Sequence, residues 1–258
     1  MFPTISIMGS GWLGLPLARD LADRGYPVKL STTTPARLEA LRGPGVEPFL
    51  VDTRQPDDRL ATFVDSEVLV INITSKDIDA FARLVDALEN SAVRHVLFIS
   101  STSVYPDCDC EVAEDDGRED TAHPLYRIER LFAEASGFDS TVLRFSGLVG
   151  YSRHPGRFFA SGRAVPNPRG FVNLIHRDDC INLIRAIIEQ SAWGRVFNGC
   201  ADEHPRRHEF YSHSARLAGL PEPAAGDGDR YKIISNTRIK RELGYRFVHP
   251  DPMQFTYD

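Results

Sequence analysis

Lysine is nearly absent from this chain of 258 residues: Lys29, Lys76, Lys232 and Lys240 stand against 26 arginines. Arginine therefore fills most places where a cation is tolerated. No apolar run approaches the roughly 20 residues that a bilayer-spanning helix needs, so no membrane helix is expected. The N-terminus, Met1 to Met8, carries no basic leader and reads as a buried first strand rather than a signal peptide, which gives a cytoplasmic expectation. Excess positive charge is also missing: the net charge is −6 and the pI about 5.8. Such a chain has no general attraction for phosphate backbones or anionic lipid, and neither nucleic acid nor membrane is expected as a partner.

Cysteine is scarce as well. Cys108, Cys110, Cys180 and Cys200 lack the C-x-x-C spacing of a structural zinc site, and a disulfide framework is not expected in a chain of this length without a secretory signal. Cys108 and Cys110 lie in an acidic stretch, where chelation of a metal or a redox pair is the alternative to the expected reading as unpaired loop thiols. No metal site is expected. The eight carboxylates between positions 107 and 120 read as a solvated loop, with a lid as the alternative. Internal repeats and low-complexity tracts are absent.

What is present is an alternation of strand-like and helical patterns. Strands are expected at 4–8, 28–32, 48–51, 68–73, 95–100 and 141–145, with enough apolar continuity for burial on both faces. Helices are expected at 13–24, at 78–89 with Phe81, Leu84, Val85 and Leu88 on one face, and later at 178–190, 206–217 and 236–243. The pattern is that of an α/β, Rossmann-type doubly wound parallel sheet. Between Tyr151 and Gly170 the texture changes to six Gly or Pro residues and four arginines, Arg153, Arg157, Arg163 and Arg169. We divide the chain into a dinucleotide-binding domain over 1–150 and a smaller C-terminal substrate-binding lobe over 151–258, interleaved as one compact unit.

Between the first strand and first helix the chain reads Gly9-Ser10-Gly11-Trp12-Leu13-Gly14. Glycines at this spacing permit a tight turn, let backbone approach a pyrophosphate, and let the helix pack closely with its N-terminus facing negative charge. The second strand ends Ser31-Thr32-Thr33-Thr34-Pro35-Ala36-Arg37, without the carboxylate that usually holds the ribose 2′-hydroxyl of NAD. Thr33 and Arg37 suit a 2′-phosphate better, so NADP is expected ahead of NAD; the alternative leaves Arg37 on a solvated helix face. Asp52 and Thr53 close the third strand, where Asp52 is read as an acceptor for an adenine amino group or as a cap. Asn72, Ile73 and Thr74 end the fourth strand on the same edge, where backbone should pass close to the cofactor.

The fifth strand runs into Ser100-Ser101-Thr102-Ser103-Val104-Tyr105, and Tyr126 opens an apolar-periodic helix with Arg130 one turn along its face. A phenol there can give or take a proton beside a nicotinamide, helped by a hydroxyl on the substrate oxygen and a nearby cation. These motifs, with Leu143-Arg144-Phe145-Ser146-Gly147-Leu148-Val149-Gly150, Asn173-Leu174-Ile175-His176-Arg177-Asp178-Asp179 and a tail from Ser235 to Tyr245, resemble the short-chain dehydrogenase/reductase superfamily and its extended NAD-dependent epimerase/dehydratase family. The resemblance covers nearly the whole chain. It implies Ser101 as the substrate-orienting hydroxyl, Tyr126 as acid/base and Arg130 as the cation on the nicotinamide ribose. It also implies Phe145, Ser146, Gly147 and Leu148 beside the nicotinamide, and Ser103, Arg153, Arg157, Arg163 and His176 toward a small-molecule substrate, while Ser100, at the lip of the fifth strand, is read as a cofactor contact. A homodimer is ordinary for that family.

Two departures stand out. The family's Tyr-x-x-x-Lys is Tyr126-x-x-x-Arg130 here, and Met8 replaces the first glycine of the family's turn. Arginine keeps the charge but does not pass on a proton. Two functions follow. One is an epimerase, dehydratase or reductase acting on a sugar, nucleotide sugar or small carbonyl compound; the other is a cofactor-binding protein without turnover that reports cofactor state to a partner.

Overall fold

The computed structural model describes residues 2–55 and 57–257. Short apolar runs form strands and amphipathic runs form helices through the first part. β1 (Ile5–Met8) is buried at every position, and α1 (Gly14–Asp23) buries Leu17, Ala18 and Leu21 on one stripe, as a period of 3.6 requires. β2 (Val28–Thr32) leads through a 3-10 turn, Pro35–Arg37, into α2 (Leu38–Leu41) and β3 (Val46–Leu50). α3 (Asp58–Phe63) begins where Asp57 accepts from the Arg59 amide, and β4 (Val68–Ile71) follows. The Asp77 carboxylate caps α4 (Ile78–Glu89) by accepting from the Ala80 amide at 3.0 Å, a contact that stabilises a helix by about 1 kcal/mol.

β5 (His95–Ser101) and β6 (Glu111–Val112) precede α5 (Pro124–Glu134), where Pro124 occupies a first-turn position that needs no amide donor. Then come β7 (Asp139–Phe145), β8 (Gly147–Val149), β9 (Leu174–His176) and α6 (Arg177–Glu189). The chain finishes with β10 (Val196–Gly199), α7 (Arg207–Leu217), β11 (Ile233–Ile234) and α8 (Thr237–Leu243).

The main sheet has seven strands in the order β10-β7-β5-β4-β1-β2-β3. The registers Ile5↔Val28, Ile5↔Val68, Val28↔Val46 and Val68↔His95 are all parallel. Strand order reverses at β1, which lies between β2 and β4, and that reversal opens a crevice at the carboxyl ends of the strands. The doubly wound sheet is the expected fold class. All six expected strands form, with β3 shifted toward Val46 and β4 ending at Ile71. The seventh strand, β10, and helix α3 were not expected, since runs as short as Val196–Gly199 carry no readable period.

Two compact units divide the chain. The first comprises Met1–Ser100, Thr121–Leu143 and Ile184–Val196, and the second Ser101–Asp120, Arg144–Leu183 and Phe197–Asp258. In the first unit Phe81, Phe98 and Phe132 meet with ring centroids 5.3–6.0 Å apart; burying each ring stabilises the fold by roughly 1.5–3 kcal/mol.

The second unit has a small apolar cluster of Val149, Val172, Leu174, Ala201, Phe210 and Phe255 and a polar network beside it. The buried Arg144 guanidinium donates to the Tyr105 hydroxyl at 2.5 Å and to Glu119 at 2.6 Å, while the Tyr105 hydroxyl donates to Asn198 at 3.2 Å. Asp179, fully buried, accepts from the Tyr245 hydroxyl and the Val248 and His249 amides. Such saturation is what makes a buried charge tolerable. Cys108 and Cys110, expected as separate loop thiols, are joined as a disulfide with Cα atoms 5.3 Å apart. The left-handed backbone of the intervening Asp109, φ +54°, turns the two side chains together. No helix among the described residues is long and apolar enough to cross a membrane.

Candidate functional site

The glycine turn leaves β1 at the crevice. Gly9 has φ +107°, and a Cβ there would lie 2.4 Å from the Asn72 carbonyl oxygen. A Cβ on Gly14 would lie 1.8 Å from the Gly9 carbonyl oxygen, so the helix packs directly on the turn. Gly11 differs, because a Cβ there meets nothing within 4 Å. Two glycines thus bring backbone together and the middle one leaves a space, which is the division of labour a pyrophosphate requires. The α1 N-terminus behind it has no side-chain cap, leaving its positive end to an anion.

Beside this turn lies a cavity of about 170 Å³, lined by Gly9, Ser10, Gly11, Ser31, Thr33, Thr34, Arg37, Thr53 and Ile73, among others. No carboxylate lines it. Ser31 is fixed by accepting from the Gly9 amide at 3.0 Å, and Arg37 by donating Nη2 to the Ser10 carbonyl at 3.0 Å. The 3-10 turn from Pro35 to Arg37 carries the Arg37 side chain to the wall of this cavity. These residues fit the phosphate-bearing end of a dinucleotide.

Other residues read as cofactor ligands lie outside that lining. Asp52 accepts from the Arg54 amide and guanidinium at 2.9–3.1 Å, which holds its carboxyl below the usual carboxylate range. Trp12 and Leu13 lead into α1 with Leu13 buried, Asn72 packs on Gly14, and Thr74 is exposed. Ser100 is buried and donates to Glu129 at 2.5 Å, tying β5 to α5. In the first turn of that helix Tyr126 is half-buried. Arg130 is exposed and pairs with Glu134 at 2.5 Å.

The second unit holds a separate cavity of about 340 Å³. Ser101 and Ser103 reach it from the end of β5, with Gly147 and Leu148 from β8. Ser101 accepts from the Ser103 amide at 3.1 Å, which orients its oxygen. Phe145 and Ser146 are buried next to these residues in sequence. Arg207, Lys232 and Asn173 complete the polar wall, and Phe158, Phe171 and Tyr211 the apolar one. None of these six was read as a site residue from the sequence, although Asn173 opens one of the motifs quoted there. Arg207 opens α7, and a doubled Arg206-Arg207 before an apolar helix was the signal available.

The arginines read as substrate ligands do not line this cavity. Arg153 closes a backbone bridge with Gly150, Arg157 is the exposed end of a 3-10 turn whose other residues are buried, and Arg163 stacks over Phe159 at 5.1 Å. His176 is also elsewhere. It is buried, its Nδ1 accepts from the Asp178 amide at 3.3 Å, and burial holds its imidazole below the usual histidine range. Asp178 in turn accepts from His249 at 3.2 Å and the Tyr151 hydroxyl at 2.9 Å. Ligand atoms of His176, Asp178 and His249 lie within 4.8 Å of one another; Asp178 and His249 are bonded to each other, while the buried His176 Nε2 has no hydrogen-bond partner among the described residues.

A parallel sheet with a glycine turn at its strand-order reversal defines a Rossmann-type dinucleotide-binding protein. The description of the NAD(P)H-binding family matches residues 9–190, and the chain belongs to that family. Protein YeeZ of Escherichia coli K12 is 36% identical over 268 aligned residues, covering 96% of this chain and 97% of YeeZ. A protein from Methylobacillus flagellatus assigned as an NAD-dependent epimerase/dehydratase is 28% identical, with a TM-score of 0.79 over 97% of this chain and 95% of its own. UDP-glucuronic acid 4-epimerase from Bacillus cereus, solved with NAD, shares the fold at 18% identity, with a TM-score of 0.76 over 95% and 94% of the two chains. The resemblance to epimerases and dehydratases therefore holds at the level of family and fold.

Proposed function

We propose that the chain is an NADP-dependent enzyme of epimerase, dehydratase or reductase type, acting on a hydroxyl or carbonyl carbon of a sugar, nucleotide sugar or small carbonyl compound. One observation carries this reading: the Ser101 hydroxyl lines a polar cavity from the carboxyl end of β5, the edge at which open parallel sheets take their ligands. When bound, the nicotinamide supplies or accepts the hydride. Ser101 steadies the substrate oxygen, and Tyr126 gives or takes its proton; the pairing of these two rests on their spacing in the sequence. Arg130 supplies positive charge toward ribose hydroxyls. A guanidinium stays protonated, so the Tyr126 proton is restored through water. The preference for NADP rests on Arg37, Thr33 and Thr34 lining a cavity that lacks a carboxylate, since a guanidinium matches a phosphate and an acid matches a 2′-hydroxyl.

A second reading, a cofactor-binding protein without turnover, draws on one observation: Arg130 replaces the family's lysine and is paired with Glu134. Titration with NADPH and NADH, followed by nicotinamide fluorescence, separates the two readings when combined with turnover on a panel of sugar nucleotides and small carbonyl compounds. Tyr126→Phe should leave NADPH affinity within about twofold and lower turnover by roughly 10²–10⁴. Binding with no Tyr126-dependent turnover supports the second reading. Failure to bind either dinucleotide refutes both.

A further inference from the structure

The cavity around Ser101 has an unbalanced charge. Arg207 and Lys232 both line it and no carboxylate does. Each is anchored by a carbonyl oxygen rather than an acid: Arg207 Nε donates to Phe171 at 3.1 Å, and Lys232 Nζ donates to Tyr105. Neither makes an ion pair among the described residues. Their backbones are held firmly too. The Asn173 side chain donates to the Lys232 carbonyl and accepts from the Ile234 amide, both at 2.9 Å, and the Arg207 amide donates to the Gly170 carbonyl at 2.8 Å.

Two cations held in one cavity with no carboxylate in its lining repel each other, and the part of Lys232 taken from water adds a desolvation penalty. Burial indeed lowers the Lys232 ammonium below the usual lysine range, with Asp107 opposing and Arg207 adding to the fall. An arrangement that costs stability in the empty protein is repaid when an anion enters. The first amides of α7 are bonded to the Gly170 and Pro168 carbonyls, so the side chains, not the helix end, must meet that anion.

We infer that the substrate carries an oxyanion head, a phosphate ester or a carboxylate, that seats between Arg207 and Lys232 while its hydroxyl or carbonyl carbon faces Ser101. The inference rests on the enzymatic reading for what Ser101 does, but not for the anion site itself. A volume of about 340 Å³ lies at the low end of the roughly 300–1,000 Å³ common for ligand pockets, which suits a compact substrate rather than a nucleotide sugar. Arg207 presents a planar fork and Lys232 a point charge, a pair that can grip one anion from two sides.

Calorimetric titration of the intact protein tests this without cofactor. The probes are inorganic phosphate, a hexose monophosphate, a 2-hydroxycarboxylate, the uncharged hexose and UDP-glucose. The hexose monophosphate or the hydroxycarboxylate should bind at least tenfold more tightly than the uncharged hexose, and the stronger of the two identifies the head group. Arg207→Gln and Lys232→Gln should each weaken that binding at least tenfold, Lys232→Arg should retain most of it, and Arg157→Gln should leave it unchanged. Equal binding of the uncharged hexose, binding of UDP-glucose alone, no binding of any probe, or indifference to folded Arg207 and Lys232 variants overturns the inference. Nicotinamide fluorescence measured on the wild type and the same variants keeps the outcomes separate, because failure of the wild type to bind either dinucleotide refutes the enzymatic reading and leaves the anion site standing.

Discussion

Replacing Arg37 by alanine should separate the two nicotinamide cofactors. The guanidinium reaches the cavity beside the glycine turn, where Nη2 is already held by the Ser10 carbonyl at 3.0 Å, so its remaining donors are oriented before any phosphate arrives. A charge-assisted hydrogen bond contributes roughly 1.5–3 kcal/mol when shielded, and an exposed ion pair about 0–1 kcal/mol. Arg37 is exposed as a residue but half-buried at its Ser10 contact, so about 1–2 kcal/mol is the fitting range. That corresponds to a 5- to 30-fold rise in the dissociation constant of NADPH, by roughly 1.4 kcal/mol per tenfold.

NADH has no 2′-phosphate, and its affinity should stay within about twofold. Fluorescence titrations of wild type and Arg37→Ala with both dinucleotides read the difference directly. Raising the salt concentration should weaken NADPH binding to wild type more than to the variant, since screening acts on the lost charge pair. Thr33→Asp should act in the same direction, because a carboxylate repels the phosphate and accepts from a 2′-hydroxyl. Equal weakening of NADH and NADPH in Arg37→Ala would show that the guanidinium merely braces the Ser10 carbonyl, and the NADP argument would fail.

Gly11→Ala should fold with a melting temperature within a few degrees of wild type yet lose most dinucleotide affinity, because its Cβ enters empty space; unchanged affinity would mean that the space is not the pyrophosphate seat. Gly14→Ala should instead destabilise the fold, since its Cβ would sit 1.8 Å from the Gly9 carbonyl oxygen, and thermal melting distinguishes the two. Burial lowers the imidazoles of His154, His176 and His204, so the unfolded chain binds their protons first and stability must fall as pH drops below about 6.5, by at most roughly 1.4 kcal/mol per histidine per pH unit. Buried Glu114, whose carboxyl is raised, opposes this in its own window above pH 4.5, and urea midpoints between pH 7.5 and 5.5, compared with His204→Gln, expose the histidine contribution. Reducing the Cys108–Cys110 disulfide opens a three-residue loop, for which loop entropy gives about 1.5 kcal/mol and a fall of roughly 3–6 °C in melting temperature; Cys108→Ser should match the reduced protein and ignore reductant.

The glycine turn and six of the seven main strands were legible because each is local: a strand, a turn and a helix lie within two dozen residues of one another. Arg37 was legible for the same reason, standing in the turn just past the strand that follows. The cavity around Ser101 was not. Its wall comes from positions 101–103, 147–148, 158, 171–174, 207, 211 and 232, and no spacing in the sequence announces that such segments meet. Counting arginines pointed to 151–170, whereas the cavity takes Arg207 and one of the four lysines. A cation's abundance in a segment says little about its direction, because packing such as Arg163 over Phe159 decides where the side chain goes.

The replacement of the family's lysine by Arg130 bears on catalysis only if the guanidinium can leave Glu134. The geometry of α5 sets the terms. Glu129 and Arg130 are consecutive, so they point about 100° apart around the helix: Glu129 is buried and receives the Ser100 hydroxyl, while Arg130 faces outward. The inward bond fixes how α5 sits against β5, and with it the helix turn that carries Tyr126. The outward pair is a different matter. With both side chains more than half exposed, an i,i+4 ion pair contributes only about 0.3–0.5 kcal/mol. Charge-assisted hydrogen bonds to ribose hydroxyls contribute roughly 1.5–3 kcal/mol in a shielded site. On the proposed enzymatic reading the weaker contact yields to the stronger, so the Glu134 pair does not by itself remove the cation from the chemistry.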